Sequence, residues 1–295
     1  MAGQSIAMSG FEIVSPDRFG TGECPTWDER EQRLLWTSIH DGDIHVLSVR
    51  TGERSKWHFD SSVGAFGLCR NHCLVVALHD SVVRFDPRSG ALTTLAQLPQ
   101  RSGSARLNDG KVGPDGAFWV GGMDREQPNA SLYRVAADGS VTEIVGGLRA
   151  SNGLAWSPDA SVLYHSDSRG PWVDRWDFDA ATGRASNRRR FLDLDDATGR
   201  PDGATVDAEG CYWSAGVSAG RLNRFAPDGT LLGFIDVPSF RPTMPCFGGE
   251  DLKTIYVTSL SGTLTDEERA AHPHAGQVLA MKSRFTGLPT YRFGD

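Results

Sequence analysis

Apolar residues in this chain gather in short runs rich in Val, Ile, Leu, Trp and Phe, and each run stops at a polar turn such as Asp-Gly, Pro-Asp or Thr-Gly. Few stretches show the 3.6-residue period of a helix, so the pattern predicts an all-β chain. Six segments share one arrangement of strand, polar turn and second strand: 26–37, 66–77, 111–120, 155–164, 205–213 and 246–257. A third strand follows each of them, at 44–47, 82–85, 131–135, 173–178, 221–225 and 277–281, and most of these third strands end in another turn.

A unit that recurs every ~40–50 residues is the spacing of four-stranded propeller blades. The predicted fold is therefore a six-bladed β-propeller of antiparallel blades around a central channel. Closure has a physical reason: a lone blade leaves two apolar faces in water, and radial packing buries them while leaving only short sheet edges. Phe11-Glu12-Ile13-Val14 precedes the first unit and is expected to supply the outer strand of the sixth. The stretch from Leu264 to Ala271 reads as a short helix inserted in blade six, with Thr265 as its cap. No linker or shift in composition interrupts residues 1–295, which are read as one propeller domain whose segment 1–15 closes the last blade.

Composition narrows the partners. The chain is 39% hydrophobic and 23% charged, enough apolar material for a large core. Its net charge is −7 and its longest basic run is Arg188-Arg189-Arg190, which argues against nucleic acid or an anionic membrane as partner. Residues 1–8 lack the basic flank and apolar core of a secretory signal, and no apolar stretch reaches the ~18 residues of a membrane span. Five cysteines, none in a CxxC pair, read as free thiols in a reducing cytoplasm. Cys69 and Cys73 flank His72, but free thiols are preferred there to a zinc site. Nothing in the sequence fixes an oligomeric state.

Candidate chemistry appears when the units are aligned on Trp27, Gly67, Val112, Trp156, Val206 and Phe247. Four places earlier stand Glu23, Val63, Asn108, Asn152, Asp202 and Thr243. Equivalent positions of different blades face one another across the axis, so four amide or carboxylate side chains are expected to converge. Each also sits beside Gly or in a Pro-Asp-Gly turn, where Asn and Asp serve simply as turn formers; the shared phase favours the convergent reading. Glu23 and Asp202 would repel by about 3 kcal/mol at ~5 Å and an effective dielectric near 20. One divalent cation removes that cost. Two carboxylates and an amide oxygen suit Ca²⁺, Mg²⁺ or Mn²⁺, with Zn²⁺ or Fe²⁺ also accommodated, and they leave positions for water or substrate.

Arg106 lies two residues before Asn108 and is expected to face the same mouth, holding a polyhydroxy substrate or balancing charge. Glu126, after the second strand of that unit, either reaches the mouth or is a solvated loop carboxylate. His165 reads as a hydrogen-bonded structural histidine rather than a catalytic one. Trp172 either roofs the channel or packs in a loop.

These motifs resemble the SMP-30/gluconolactonase/regucalcin-like family of six-bladed propellers. The resemblance rests on Gly22-Glu23-Cys24-Pro25-Thr26-Trp27, Arg106-Leu107-Asn108-Asp109-Gly110-Lys111-Val112, Ser151-Asn152-Gly153-Leu154-Ala155-Trp156-Ser157-Pro158-Asp159 and Pro201-Asp202-Gly203, in that order. It implies a divalent metal held by Glu23, Asn152 and Asp202, with Asp202 also the general base of lactone hydrolysis. It further implies that Arg106, Asn108 and Glu126 contact the sugar, and it leaves open whether Asn108 also ligates the ion. Cys24 stands where the family often has Gly. The expected reaction is metal-dependent hydrolysis of an aldono-1,4- or 1,5-lactone to the aldonic acid. Two alternatives stand beside it: an esterase or organophosphate hydrolase on the same metal propeller, and a non-catalytic calcium-binding or interaction module. No His-Glu-x-x-His zinc helix occurs in the sequence.

Overall fold

Each of the six repeated units forms a four-stranded antiparallel sheet in the computed structural model, which describes residues 4–6, 8, 10–98 and 105–294. The innermost strands are Gly22–Asp28, Ala65–Leu68, Arg106–Val112, Ser151–Trp156, Pro201–Val206 and Pro242–Gly248. Each touches the innermost strand of the next blade, and the sixth returns to the first, so the sheets stand in a ring. The chain is a six-bladed β-propeller, as the repeat predicts.

Burial explains the ring. The innermost strands are sequestered nearly throughout, whereas outer strands such as Arg54–His58 and Leu92–Gln97 are largely exposed. The apolar clusters lie between blades rather than within them. Trp119 of blade three meets Trp156 and Phe178 of blade four edge to face. Trp213 of blade five packs on Phe247 and Phe285, and Trp27 of blade one stacks on Tyr256 of blade six. Burying rings of this size dominates the energetics of each junction, so no blade is stable by itself.

The ring is fastened by the N-terminal segment. Glu12–Ser15 pairs antiparallel with Val278–Lys282 as the outer strand of blade six, while Ile6, Met8 and Phe11 pack against the cluster joining blades five and six. A Velcro-like closure of this kind covers an edge that would otherwise present free N–H and C=O groups. The predicted helix is Asp266–Ala271; Thr265 caps it and forms a capping box with Glu268.

A distortion recurs in the innermost strands. The pairing register slips between Glu23 and Thr26, Leu107 and Gly110, Asn152 and Ala155, Pro201 and Ala204, and Pro242 and Met244. Bulges re-aim side chains and tighten local twist, and all five of these slips hold or flank an aligned polar residue: Glu23, Asn108, Asn152, Asp202 or Thr243. The innermost strand of blade two pairs with its neighbour without a slip, and there the aligned residue is Val63. Gly153 takes a φ of 66° at its bulge, and Cys24, its counterpart in blade one, takes a φ of 49°. That left-handed conformation suits Gly and strains Cys. The Cys24 thiol offsets part of the strain by lying 3.4 Å from both the N–H and the C=O of Phe66.

Removing residues through Ser15 should lower the melting temperature by about 5 °C, a cost of roughly 2 kcal/mol for a chain of this size. Differential scanning calorimetry checks it; an unchanged melting temperature would show that the ring closes without this strand.

Candidate active site on the propeller axis

The bulges gather the predicted residues at one end of the channel. Glu23 is 7% exposed, and its Oε2 accepts the Cys24 N–H at 2.7 Å. Asn152 is held on two sides: its Nδ2 donates to Ser168 Oγ at 2.7 Å, and its Oδ1 accepts from Asn108 Nδ2 at 3.1 Å. Asn108 also donates to the Ser151 carbonyl at 3.0 Å, and its Oδ1 accepts from Arg106 Nη1 at 2.7 Å. Asp202 stands half-buried on the channel wall.

The charges of Asp202, Asp109 and Arg106 all act on Glu23. Burial raises the Glu23 carboxyl well above the usual carboxylate range, and the charges of Asp202 and Asp109 raise it further. Asp202 is pushed up to about 8, by burial first and by Asp109 second. Arg106 acts on both carboxylates, yet its guanidinium bonds the Leu107 carbonyl and Asn108 rather than either acid. Among the described residues neither Glu23 nor Asp202 forms an ion pair. Two acids kept in a dry site without a counter-cation are costly unless they are protonated or bound to a cation.

Two residues the sequence reading passed over complete the centre. Asp109 is buried, its Oδ2 accepting the Leu154 N–H at 3.3 Å, and burial raises its carboxyl too. Lys111 crosses the channel from blade three to donate to the Ala204 carbonyl of blade five at 2.7 Å; burial lowers its pKa, with Asp109 the chief opposing charge. In Asn108-Asp109-Gly110-Lys111 the alternation of acid and base around a glycine was the available signal. Beneath Lys111 lies a cavity of about 90 Å³ lined by Cys24, Phe66, Cys246, Leu288 and Tyr291.

Other predicted positions fall outside this cluster. Glu126 is exposed on the loop after Phe118–Met123, where its N–H donates to buried Asp124. His165 is fully buried, bonded through Nε2 to Ser151 Oγ at 2.8 Å, and burial pushes it down to about 3. It is neutral and structural. Trp172 packs edge-on against His165 and takes the guanidiniums of Arg188 and Arg190 on its ring, so it belongs to blade four rather than roofing the channel. All five cysteines are free thiols. His72 lies 3.6 Å from Glu31 rather than forming a ligand set with Cys69 and Cys73. Among the described residues, the three-membered His, Cys, Asp or Glu group close enough for an ion is Asp207, Glu209 and Cys211. Its charge is already satisfied: Asp207 accepts from Arg224, Trp213 Nε1 and the Cys211 N–H, and Arg224 also holds Glu209.

The raised acids carry a consequence for stability. A carboxyl whose folded-state pKa exceeds its unfolded value near ~4 keeps its proton in the fold while the unfolded chain loses it. The ion-free protein should therefore lose stability as pH rises from about 5 to about 8, and a divalent cation should restore most stability at the upper end. Thermal melts in chelator check this, with the Glu23→Gln/Asp202→Asn double variant, which keeps only raised Asp109, as the control with the smaller slope. Equal slopes in both proteins would refute it.

The family model described as SMP-30/gluconolactonase/LRE-like region matches residues 21–261. The chain is 38% identical over 269 residues to the 6-deoxy-6-sulfogluconolactonase of Pseudomonas putida, covering 90% of this chain and 92% of that one. It is 32% identical to chicken (Gallus gallus) regucalcin, over 96% and 98% of the two chains. A crystal structure of a calcium-binding protein, regucalcin from Agrobacterium tumefaciens, superposes with a TM-score of 0.90 at 29% identity, covering 98% of this chain and 99% of that one. No helix among the described residues is long and apolar enough to cross a membrane. By the match to its family model and the extent of its likeness to these relatives, the chain belongs to the SMP-30/gluconolactonase/LRE-like family.

Proposed function

We propose that this chain hydrolyses an aldonolactone to its open-chain acid, with one divalent cation held by Glu23, Asn152 and Asp202. The observation that carries the reading is the meeting of two unpaired carboxylates and an amide at a channel mouth that also holds Arg106 and Asn108. The names of the relatives point the same way, since one is a gluconolactonase acting on a sulfo sugar and another is a calcium-binding regucalcin.

The donor set fits such an ion. Glu23 spends one oxygen on the Cys24 N–H and keeps the other, Asp202 forms no ion pair among the described residues, and Asn152 is clamped by Ser168 and Asn108. When bound, the cation supplies Lewis-acid polarisation of the ester carbonyl and stabilises the negative charge that develops on it.

The chain's own groups do the rest. Asp202, half-buried and raised by its surroundings, is placed to accept a proton from the attacking water. The water oxygen bonds to the carbonyl carbon, the ring carbon–oxygen bond breaks, and that proton returns to the departing alkoxide. Arg106 offers guanidinium donors to substrate hydroxyls, while Asn108, both of whose amide hydrogens go to the Ser151 carbonyl and Asn152, offers Oδ1 as an acceptor held at 2.7 Å from Arg106. Ser151 and His165 are not a nucleophilic pair, since both are buried and His165 Nδ1 has no hydrogen-bond partner among the described residues. The assigned ligand set, the roles of Arg106, Asn108 and Glu126, and a cytoplasmic setting are parts of this proposal.

Acid release from pentono- and hexonolactones, with and without chelator, tests it. Asp202→Asn should cut turnover at least ~10²-fold with an unchanged circular-dichroism spectrum. Arg106→Ala should raise KM more than it lowers kcat. Failure of every lactone to beat its spontaneous rate would sink the reading and leave a calcium-binding module; faster turnover of aryl esters or phosphotriesters would transfer it to another hydrolase.

A further inference from the structure

We infer that Tyr212 is a positioning residue of the axial site: its hydroxyl fixes the peptide that follows Asn152, and with it the direction in which the Asn152 amide oxygen meets a divalent cation. The inference rests on the ligand set proposed above and adds to it a residue that acts on the ion only through another.

The argument begins with a peptide that the strand pairing leaves out. Blade four pairs Asn152 with Ser166 and Ala155 with Tyr164, so Gly153 and Leu154 together face His165 alone. At such a bulge the ladder is interrupted, and buried N–H and C=O groups need other partners. The peptide between Gly153 and Leu154 finds them in side chains of the blades on either side. The Tyr212 hydroxyl of blade five donates to the Gly153 carbonyl at 3.0 Å, and Asp109 Oδ2 of blade three accepts the Leu154 N–H at 3.3 Å. One peptide plane is thus gripped at both ends, directly after the residue that carries the amide.

The grip leaves little room. Gly153 takes a φ of 66°, and a Cβ there would lie 2.5 Å from both the Tyr212 hydroxyl and Ser166 Oγ. Tyr212 is fully buried, its ring tilted against Tyr164 at 5.1 Å and edge-on to Phe191. A ring wedged in this way holds its oxygen in one place. Asn152 is in turn directed by Ser168 and Asn108, so its backbone and its amide are both fixed.

Comparison of the blades separates this role from packing. Tyr212 pairs with Val206, and the residues paired with the aligned positions of the other blades are Leu34, Val75, Phe118, Leu163 and Ile255. All five are apolar, so the position asks for bulk and not for a hydroxyl. Phe118 is the nearest equivalent. From blade three it lies over blade two, where a Cβ at Gly67 would meet its ring at 3.6 Å. That strand has no register slip, and Val63 stands at its aligned position. The ring over the slipped strand that carries Asn152 is the one with a hydroxyl. The other two ligand strands are braced in the same manner by different chemistry. Thr243 Oγ1 donates to the Gly22 carbonyl at 2.6 Å, beside Glu23, and Lys111 donates to the Ala204 carbonyl at 2.7 Å, just after Asp202. In each case a side chain from another blade holds a carbonyl close to the ligand.

Calorimetric titration of the ion-free protein with Mn²⁺ and Ca²⁺ tests the inference. Partners that orient a metal ligand typically contribute about 10–100-fold to affinity, so Tyr212→Phe should raise the Kd by about tenfold or more. Tyr164→Phe, which removes a hydroxyl from the neighbouring ring, should leave it within about twofold. A merely structural bond would lower the melting temperature of Tyr212→Phe in chelator and leave the affinity of the folded protein unchanged. Equal Kd values for wild type and Tyr212→Phe therefore overturn the inference while leaving the ligand set standing. Wild-type protein that binds neither ion removes the ligand set and the inference together. A crystal structure of ion-free Tyr212→Phe gives a second readout: the Gly153–Leu154 peptide should rotate and the Asn152 amide should leave Ser168. An Asn152 that stays in place contradicts the inference.

Discussion

Two carboxylates, Glu23 buried and Asp202 half-buried, that interact electrostatically yet form no ion pair among the described residues are the constraint from which the rest of this molecule follows. Glu23 and Asp202 come from blades one and five, far apart in sequence, and the charge of Asp202 raises the cost of ionising Glu23. Asp109 adds a third acid beneath them, answered by Lys111 reaching across the channel. An apolar axis would be the more stable choice. A ring that preserves such a centre gives up stability for a place where a doubly charged ion and a polar substrate can meet.

The scaffold supports that expense by separating tasks. Large rings fill the seams between blades and hold the ring closed, while the innermost strands carry the polar groups toward the axis. Register slips in five of those strands fall at or beside the residues of this phase. Blade two, whose innermost strand pairs without a slip, contributes Val63 there and brings its Gly64 against blade three, where an added Cβ would lie 2.5 Å from the Leu107 carbonyl. Blade two therefore acts as a close-packed wall for the strand that carries Arg106 and Asn108.

Much of this was legible in the sequence. The six-fold recurrence of turns set the architecture, the run ahead of the first unit marked the closing strand, and Thr265 marked the short helix Asp266–Ala271. Aligning the units on one hydrophobic position brought Glu23, Asn108, Asn152 and Asp202 to one phase, because a repeat that closes on itself converts sequence phase into axial height. The limits are equally physical. Lys111 and Asp109 gain their role from groups in other blades, which no local pattern encodes. Trp172 was undecided because a ring near a glycine reads alike whether it covers a channel or packs on a blade. The strain at Cys24 became visible only once its left-handed backbone was seen beside that of Gly153.

The central claim is that the axial acids are paired by a metal ion, and anomalous diffraction from crystals soaked in Mn²⁺ tests it most directly. The account predicts one strong peak on the axis, with oxygen atoms of Glu23, Asn152 and Asp202 at about 2.1–2.4 Å from it. Crystals that show no axial peak, or a peak only at Asp207 and Glu209, would contradict it.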